Sequence, residues 1–141
     1  MTVSRAQKQI VRERAGGCCE YCRLALISAT VPFHIDHIIP VKHDGTDDVE
    51  NLCLACYTCN AYKSHDLTGF DPETGEITRL YHPRTQVWAE HFVLQGDMRI
   101  MGITPEGRTT VAVLQMNLKG RVESRQALAK INEYPCKKAS I

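Results

Sequence analysis

The strongest constraint in this sequence is a pair of cysteine pairs that stand far apart in the chain. Cys19 and Cys22 enclose two residues, Cys56 and Cys59 do the same, and the segment 23–55 separates the two units. Each unit can present two thiolates to one tetrahedral Zn²⁺, and a site with four protein ligands is structural. The sequence therefore predicts a structural zinc site that brings the two ends of this segment together.

Neighbouring cysteines leave the exact zinc ligands open. Cys18 can in principle replace Cys19, although Cys19 alone has the two-residue spacing to the next cysteine. Cys53 can likewise compete with Cys56. The seven cysteines are an odd number, and charges stand where a signal peptide needs an apolar run, which favours metal ligation over a disulfide framework. We expect Cys53 and Cys136 to be small buried or free thiols, and redox dithiols are the alternative to zinc.

Length and composition favour one modest domain with an extension. The chain has 141 residues, 43% of them hydrophobic, which suffices for a single core. It has no apolar run of about 18 residues or more, so we expect a cytoplasmic protein without a membrane partner. The net charge of +1 identifies no partner, because nucleic-acid binding requires only a local basic patch.

Local patterns predict several helices and strands. Ser4 can cap a helix over 4–15 that stops at Gly16, with Arg5, Lys8 and Arg12 on one side. Those charges are interpreted as a solvated face. The other predicted elements are a strand near 30–39, a helix through the second cysteine pair to about 65, a hairpin turn at 95–97, a helix that begins after Thr104, and a helix near 121–131.

The strand "FHIDHIIP" carries polar residues that suit a reaction. Asp36 and His37 lie between the cysteine pairs, Asn51 follows, and Asn60 comes directly after the last cysteine of the second pair. A histidine beside a carboxylate, with an amide brought close by zinc, supplies a general base and oxygen ligands for a hard divalent cation. Hydrolysis of a phosphodiester requires these groups.

These motifs resemble the HNH endonuclease family, also called the ββα-metal or His-Me finger nucleases. "CEYC", "DHIIP", "ENL" and "CYTCNAYK" follow the family order and spacing over roughly residues 12–66. The resemblance implies an α+β fold in which residues 1–66 form a small ββα-metal module with a four-cysteine zinc site. Residues 67–141 are then a mixed C-terminal extension of short strands and helices, packed on the module.

The resemblance also implies roles for individual residues. His37 matches the general base that activates water, and Asp36 matches the carboxylate ligand of the catalytic cation. Asn51 matches the middle Asn of the family name, which fixes the loop between the strands. Asn60 stands in place of the last His and ligates through its amide oxygen. Because oxygen ligands favour hard cations, we expect Mg²⁺ or Mn²⁺ in catalysis beside the structural Zn²⁺.

Two further residues near this set remain open. Strand alternation places His34 on the same face as Asp36, so periodicity alone makes these two the natural metal pair. His34 is therefore a third metal ligand, a residue behind the ligands, or a packed histidine. Lys63 follows Asn60 by about one helical turn and either neutralises a phosphate or is an ordinary exposed lysine.

The leading functional hypothesis is a metal-dependent HNH endonuclease that cleaves DNA and leaves a 5′-phosphate and a 3′-hydroxyl. The alternatives are a non-catalytic, zinc-stabilised nucleic-acid-binding module and an RNA-cleaving nuclease. In the second half, the aromatic residues Tyr81, Trp88 and Phe92 are expected to form a small core, with a base-stacking platform as the alternative. The sequence carries no signal for an oligomeric state.

Overall fold

The computed structural model describes residues 2–138 and has an α+β fold, which confirms the predicted fold class. The helices are α1 (Arg5–Ala15), α2 (Tyr57–Lys63), α3 (Trp88–His91), α4 (Pro105–Val113) and α5 (Lys119–Lys130). The strands are β1 (His34–His37), β2 (Leu52–Ala55), β3 (Thr68–Phe70), β4 (Ile77–Arg79), β5 (Phe92–Leu94) and β6 (Ile100–Gly102). Residues 1 and 139–141, which the predicted domain bounds include, lie outside the described residues.

A short hairpin followed by a helix forms the centre of the first half. Strands β1 and β2 pair antiparallel, with Asp36 opposite Cys53 and His37 opposite Leu52, and α2 follows directly. Local patterns predict only a short approach before the helix at β2, whereas the ββα resemblance implies this second strand. All four β2 residues are buried, so the strand shows no polar alternation that would separate it from a buried helix segment.

Helix α1 packs against this hairpin and follows its predicted bounds. The Ser4 hydroxyl accepts a hydrogen bond from the backbone N–H of Gln7, whose side chain accepts one from the N–H of Ser4. This reciprocal capping box satisfies two backbone donors at the helix start. Gly16 ends the helix with φ 61°, a left-handed conformation that glycine adopts without steric cost.

The second half contains two more antiparallel hairpins, β3–β4 and β5–β6, and two longer helices. The turn between β5 and β6 spans 95–99 and includes the predicted Gln95–Asp97 segment. Helix α4 begins as predicted, because the Thr104 hydroxyl accepts a hydrogen bond from the N–H of Gly107 and Pro105 occupies the first helical position. Helix α5 covers most of the segment predicted near 121–131.

The second half packs directly on the first. The indole Nε1 of Trp88 donates a hydrogen bond to the carbonyl of Tyr21 over 2.8 Å, and Arg84 forms an ion pair with the partly buried Glu20. Phe92 stacks on Trp88 and meets Tyr81 edge-on. Tyr81 and Phe92 are buried and Trp88 is half-buried, which supports the predicted aromatic core over a base-stacking platform built from these three residues. The division at residue 66 stays a prediction.

The expectation of a free thiol near the C-terminus is wrong. Cys136 is not a free thiol, because it forms a disulfide with Cys18. The N–H of Cys136 also donates to the carbonyl of Arg23, which docks the tail on the first cysteine turn. The two cysteines are 118 residues apart, and no local pattern could have indicated their proximity. Cys53 is a buried thiol, as predicted.

None of the helices that the structure describes is long and apolar enough to cross a membrane.

One core joins the two halves, so we predict that they unfold together. Ile100 in β6 is buried in the same cluster as Tyr21 and Leu54. Ile100→Ala should lower the free energy of unfolding by about 2–5 kcal/mol, because it removes buried methyl groups and leaves a cavity. Fluorescence of Trp88, the single tryptophan, and release of zinc to a chromophoric chelator should shift to the same denaturant midpoint.

Ile131→Ala is the matched control, since Ile131 is exposed and this change should alter the free energy by less than about 0.5 kcal/mol. Two separate midpoints for fluorescence and zinc release, with only the first shifted by Ile100→Ala, would show that the halves unfold independently.

Candidate functional site

The four cysteines of the two pairs meet at one buried point. The sulfur atoms of Cys19, Cys22, Cys56 and Cys59 all lie within 4.8 Å of one another, and those of Cys22 and Cys56 are 3.7 Å apart. A tetrahedral zinc with Zn–S bonds of about 2.3 Å requires sulfur separations of about 3.8 Å. The cluster therefore fits a zinc site, with the ligands that the two-residue spacing selected.

Backbone N–H groups support two of the four sulfurs. The N–H of Cys22 points to the sulfur of Cys19 at 3.5 Å, and the N–H of Cys59 points to the sulfur of Cys56 at 3.4 Å. Cys56 also caps the start of α2 through this contact. Each cysteine pair thus forms a tight turn that aims its sulfurs at the centre and helps to stabilise their negative charge.

Burial makes the cluster dependent on a cation. Burial raises the pKa of the Cys19 thiol and of the Cys59 thiol well above 9.0, because a thiolate loses its water there. Four ionised sulfurs at this separation repel one another unless a metal neutralises them. Zinc requires deprotonated cysteines, so the same ion that they hold lowers their pKa.

Arg121 of α5 supplies a further positive charge at the cluster. Its Nη2 donates to the sulfur of Cys59 over 3.0 Å, and its Nη1 donates to the carbonyls of Leu114 and Gln115. Burial alone would lower the pKa of the guanidinium, but the thiolates of Cys59 and Cys22 outweigh that effect and raise it. Arg121 therefore remains charged and ties the second half of the chain to the metal ligands.

Cys18 and Cys53, the two alternative zinc ligands in the sequence, have other partners. Cys18 is held in the disulfide with Cys136, and the Cys53 thiol donates to the hydroxyl of Tyr21 over 3.5 Å. Neither belongs to the four-sulfur cluster.

His37 stands at the end of β1, next to an acidic residue that the sequence analysis missed. Its Nε2 lies 2.7 Å from Oδ1 of Asp47, and both side chains are about one-fifth exposed. The only sequence signal was an acidic loop, "KHDGTDD", in which Asp44, Asp47 and Asp48 look equivalent. The folded loop distinguishes them, because it turns Asp47 alone toward His37.

The loop that carries Asp47 is fixed by two short-range features. A Cβ at Gly45 would overlap the carbonyl oxygen of Ile39, so the chain can pass there only with glycine. The Asn51 amide donates to the carbonyls of Ile39 and Thr46 and accepts from the N–H of Ile39. Asn51 therefore spans the base of the loop, and both polar atoms of its side chain are hydrogen-bonded to the backbone.

Asp36 is buried and already engaged by a cation of the chain itself. Its Oδ2 accepts hydrogen bonds from the Tyr21 hydroxyl and from Nζ of Lys63, each over 3.0 Å. Lys63 also donates to the carbonyl of His37 and is 1% exposed. This placement corrects both expectations for Lys63, because α2 packs its side chain against β1 and turns its charge away from solvent.

Asp36 and Asn60 line one cavity of about 400 Å³, together with His37 and His65. Among residues 2–138, Asp36 Oδ1 and the Asn60 side chain make no hydrogen bond. Two oxygen atoms therefore remain available as metal ligands. One carboxylate and one amide oxygen suit Mg²⁺ or Mn²⁺, which keep several waters as further ligands. The residues present therefore fit a hard divalent cation.

His34 lies away from this cavity. It is exposed, and its ring centroid is 5.9 Å from that of Tyr57, which contradicts the packed interpretation. It borders the neighbouring cleft beneath α1, whereas Asp36 borders the cavity with Asn60. The alternation that pairs His34 with Asp36 does not bring the two side chains to one site.

Comparison with known proteins identifies the segment that holds this site. The family model described as HNH endonuclease matches residues 19–66, which contain the four cysteines, the β1–β2 hairpin and α2. No curated protein and no solved structure gives a significant match to the chain.

Arg121 gives a test of the zinc site that does not depend on activity. Arg121→Met should lower zinc affinity by about 10- to 100-fold, because it removes the donor that supports a metal-bound sulfur. Competition with a chromophoric chelator measures the affinity. Lys119→Met, on the same helix but 93% exposed in its side chain, should leave it unchanged. Equal affinities of the two variants would remove Arg121 from the zinc site.

Proposed function

Because residues 19–66 match the HNH endonuclease family, we propose that this protein is a divalent-cation-dependent endonuclease that hydrolyses DNA phosphodiesters. The observation that carries the proposal is the arrangement around one cavity. His37, with Asp47 behind it, borders the same space as the oxygen donors of Asp36 and Asn60. A base and a cation site that share a cavity suit in-line attack of water on phosphorus.

His37 acts as the general base through its Nδ1. Asp47 accepts a hydrogen bond from Nε2–H and so favours the tautomer in which Nδ1 carries a lone pair. Nδ1 takes a proton from the attacking water, whose oxygen forms the new bond to phosphorus. The bond from phosphorus to the 3′-oxygen breaks, which leaves a 5′-phosphate and, once that oxygen is protonated, a 3′-hydroxyl.

Asp36 and Asn60 would hold the catalytic cation, with one carboxylate oxygen and the amide oxygen as ligands. A bound Mg²⁺ or Mn²⁺ stabilises the negative charge that develops on the phosphate and the leaving oxygen. Lys63 fixes the Asp36 carboxylate by binding its other oxygen, and the Tyr21 hydroxyl assists. Asp36 therefore offers its remaining oxygen in a constant orientation.

Asn51 acts on the reaction only through the loop. Its three hydrogen bonds hold the loop that presents Asp47 to His37. We assign it a positioning role, because its side chain has no polar atom left for substrate.

We predict that the purified protein nicks plasmid DNA with Mg²⁺ or Mn²⁺, and that His37→Ala lowers the rate by about 10²–10⁴-fold, the usual contribution of a general base. Gel electrophoresis measures the loss of supercoiled plasmid. His43→Ala is the control, since His43 is an exposed histidine on the neighbouring turn and should leave the rate unchanged.

Nicking at an undiminished rate by the His37→Ala variant would show that His37 is not the general base. DNA binding without cleavage by any divalent cation would instead favour the non-catalytic zinc module, and preferential cleavage of structured RNA in a parallel assay would change the substrate class.

Asp47 generates a separate prediction. Asp47→Asn should lower kcat by about 10- to 150-fold, because a hydrogen bond to a charged group contributes about 1.5–3 kcal/mol and 1.36 kcal/mol is tenfold in rate. KM should stay within error. Asp48→Asn is the matched control, since Asp48 is the exposed neighbour whose side chain does not reach His37.

The tautomeric state of His37 provides a second measurement, which would not change if Asp47 had only a structural role. The ¹⁵N chemical shifts of His37 should show Nε2 protonated in the wild type and a mixture of tautomers in Asp47→Asn. An unchanged tautomer together with an unchanged kcat would show that Asp47 does not orient the base.

A further inference from the structure

A second cleft lies on the α1 side of His37. It measures about 440 Å³ and is bordered by Lys8 and Arg12 of α1, by His34, and by the His37–Asp47 pair. Ile35, His37 and Val41 border both this cleft and the cavity of Asp36. His37 therefore stands where the two spaces meet, and a strand bound at the cation site can continue past it toward α1.

The cations of this cleft lack partners in the protein. Lys8 and Arg12 are exposed, and neither side chain makes an ion pair or a hydrogen bond to any residue within 2–138. Arg99 and Lys130 are exposed cations as well. Lys8 and Arg12 are therefore distinguished by their place at the cleft beside His37. Like charges four residues apart on a helix destabilise it by about 0.2–0.5 kcal/mol, so the pair is costly unless an anion approaches.

The acidic side chain at the cleft does not cancel this charge. Asp47 is the one carboxylate among the described residues that border it, so two cations face a single negative charge. Lys8 and Arg12 thus leave the rim of the cleft with a net positive charge that matches a phosphodiester backbone.

Helix α1 is fixed relative to the candidate base. The Gln7 side chain donates to the carbonyl of Asp47 over 2.8 Å, and Arg14 donates to the carbonyls of Val49 and Leu52. Val11 is fully buried beneath the helix. The spacing between the α1 cations and His37 is therefore set by the fold, whereas a solvated charged face requires no such attachment.

We propose that Lys8 and Arg12 bind phosphates of the DNA strand that is cut, adjacent to the scissile phosphate at His37. The proposal rests on the proposed function, because His37 defines which phosphate is scissile. Contacts of this kind set the register and position of the backbone and read no bases. In this proposal α1 binds the DNA backbone, and the residues of the β1–β2 hairpin and α2 take part in the hydrolysis.

The first test measures binding without cleavage. In a His37→Ala background, fluorescence anisotropy with a short labelled duplex gives Kd over a range of salt concentrations. Adding Lys8→Gln and Arg12→Gln should weaken binding and reduce the slope of log K against log salt by about 1.8, since each phosphate contact contributes about 0.9. Arg99→Gln with Lys130→Gln is the control, because it removes the same charge at exposed side chains outside the cleft.

Equal losses of affinity and slope in the two double variants would overturn the proposal, because only total charge would then matter. An unchanged slope in Lys8→Gln/Arg12→Gln would also overturn it. Tighter binding of single-stranded RNA than of duplex DNA, with the same loss of slope, would replace DNA as the partner and so reject the proposal as stated.

The second test locates the contacts relative to the cut. In the His37-containing protein, neutral methylphosphonates placed within three nucleotides of a mapped cut site should slow cleavage at one or two positions on one side. The Lys8→Gln/Arg12→Gln variant should show no additional slowing at those positions. Additive slowing everywhere would overturn the proposed contacts. If the wild type does not cleave, the proposed function fails, and the binding test alone then decides whether α1 binds the backbone.

Discussion

The convergence of four cysteine sulfurs is the constraint on which the arrangement of the site depends. The cluster joins the turn after α1 to the start of α2, so the β1–β2 hairpin between them is closed at both ends. Helix α2 is only seven residues long, too short to be stable alone, and Cys56 at its cap fixes both its start and its direction. That direction places Asn60 and Lys63 over Asp36. The second half depends on the same point, because Arg121 and the Tyr134 hydroxyl bond to Cys59 and to the carbonyl of Cys22.

Electrostatics at β1 divide the two neighbouring residues into different roles. Asp36 faces the protein interior, where Lys63 neutralises it, and a buried carboxylate without such a partner would be strongly destabilising. His37 faces the loop, where Asp47 accepts from its ring. Strand alternation turns these adjacent side chains to opposite faces and so gives each residue its own charged partner. In the proposed enzyme, this separation would let one β-strand serve both the cation site and the general base.

Spacing rules predicted the parts of this protein that local chemistry determines. The two-residue spacing within each cysteine pair, the Ser4 cap, and the start of α4 at Thr104 each depend on residues within one turn of chain. Local patterning did not reveal strand β2, which only the ββα resemblance implied, because burial on both faces removes the alternation that identifies a strand. Lys63, Asp47 and the Cys18–Cys136 disulfide could not be derived, since their partners are 10 to 118 residues distant and are chosen by tertiary packing. A lysine looks exposed in a sequence until a buried carboxylate is known to lie beneath it.

Asp47 borders the cleft on the α1 side and connects helix α1 to His37. Its carbonyl accepts from Gln7 of α1, and its carboxylate accepts from His37, so a single residue joins the helix that carries Lys8 and Arg12 to the ring of His37. Any displacement of α1 must therefore either break the Gln7 contact or move the Asp47 backbone. In the proposed enzyme, the same loop therefore determines both the position of α1, which binds the DNA strand, and the orientation of the general base. Gly45 and Asn51 hold that loop in place, so in the proposed mechanism Asp47, which has no phosphate contact, sets the orientation of the imidazole toward the attacking water.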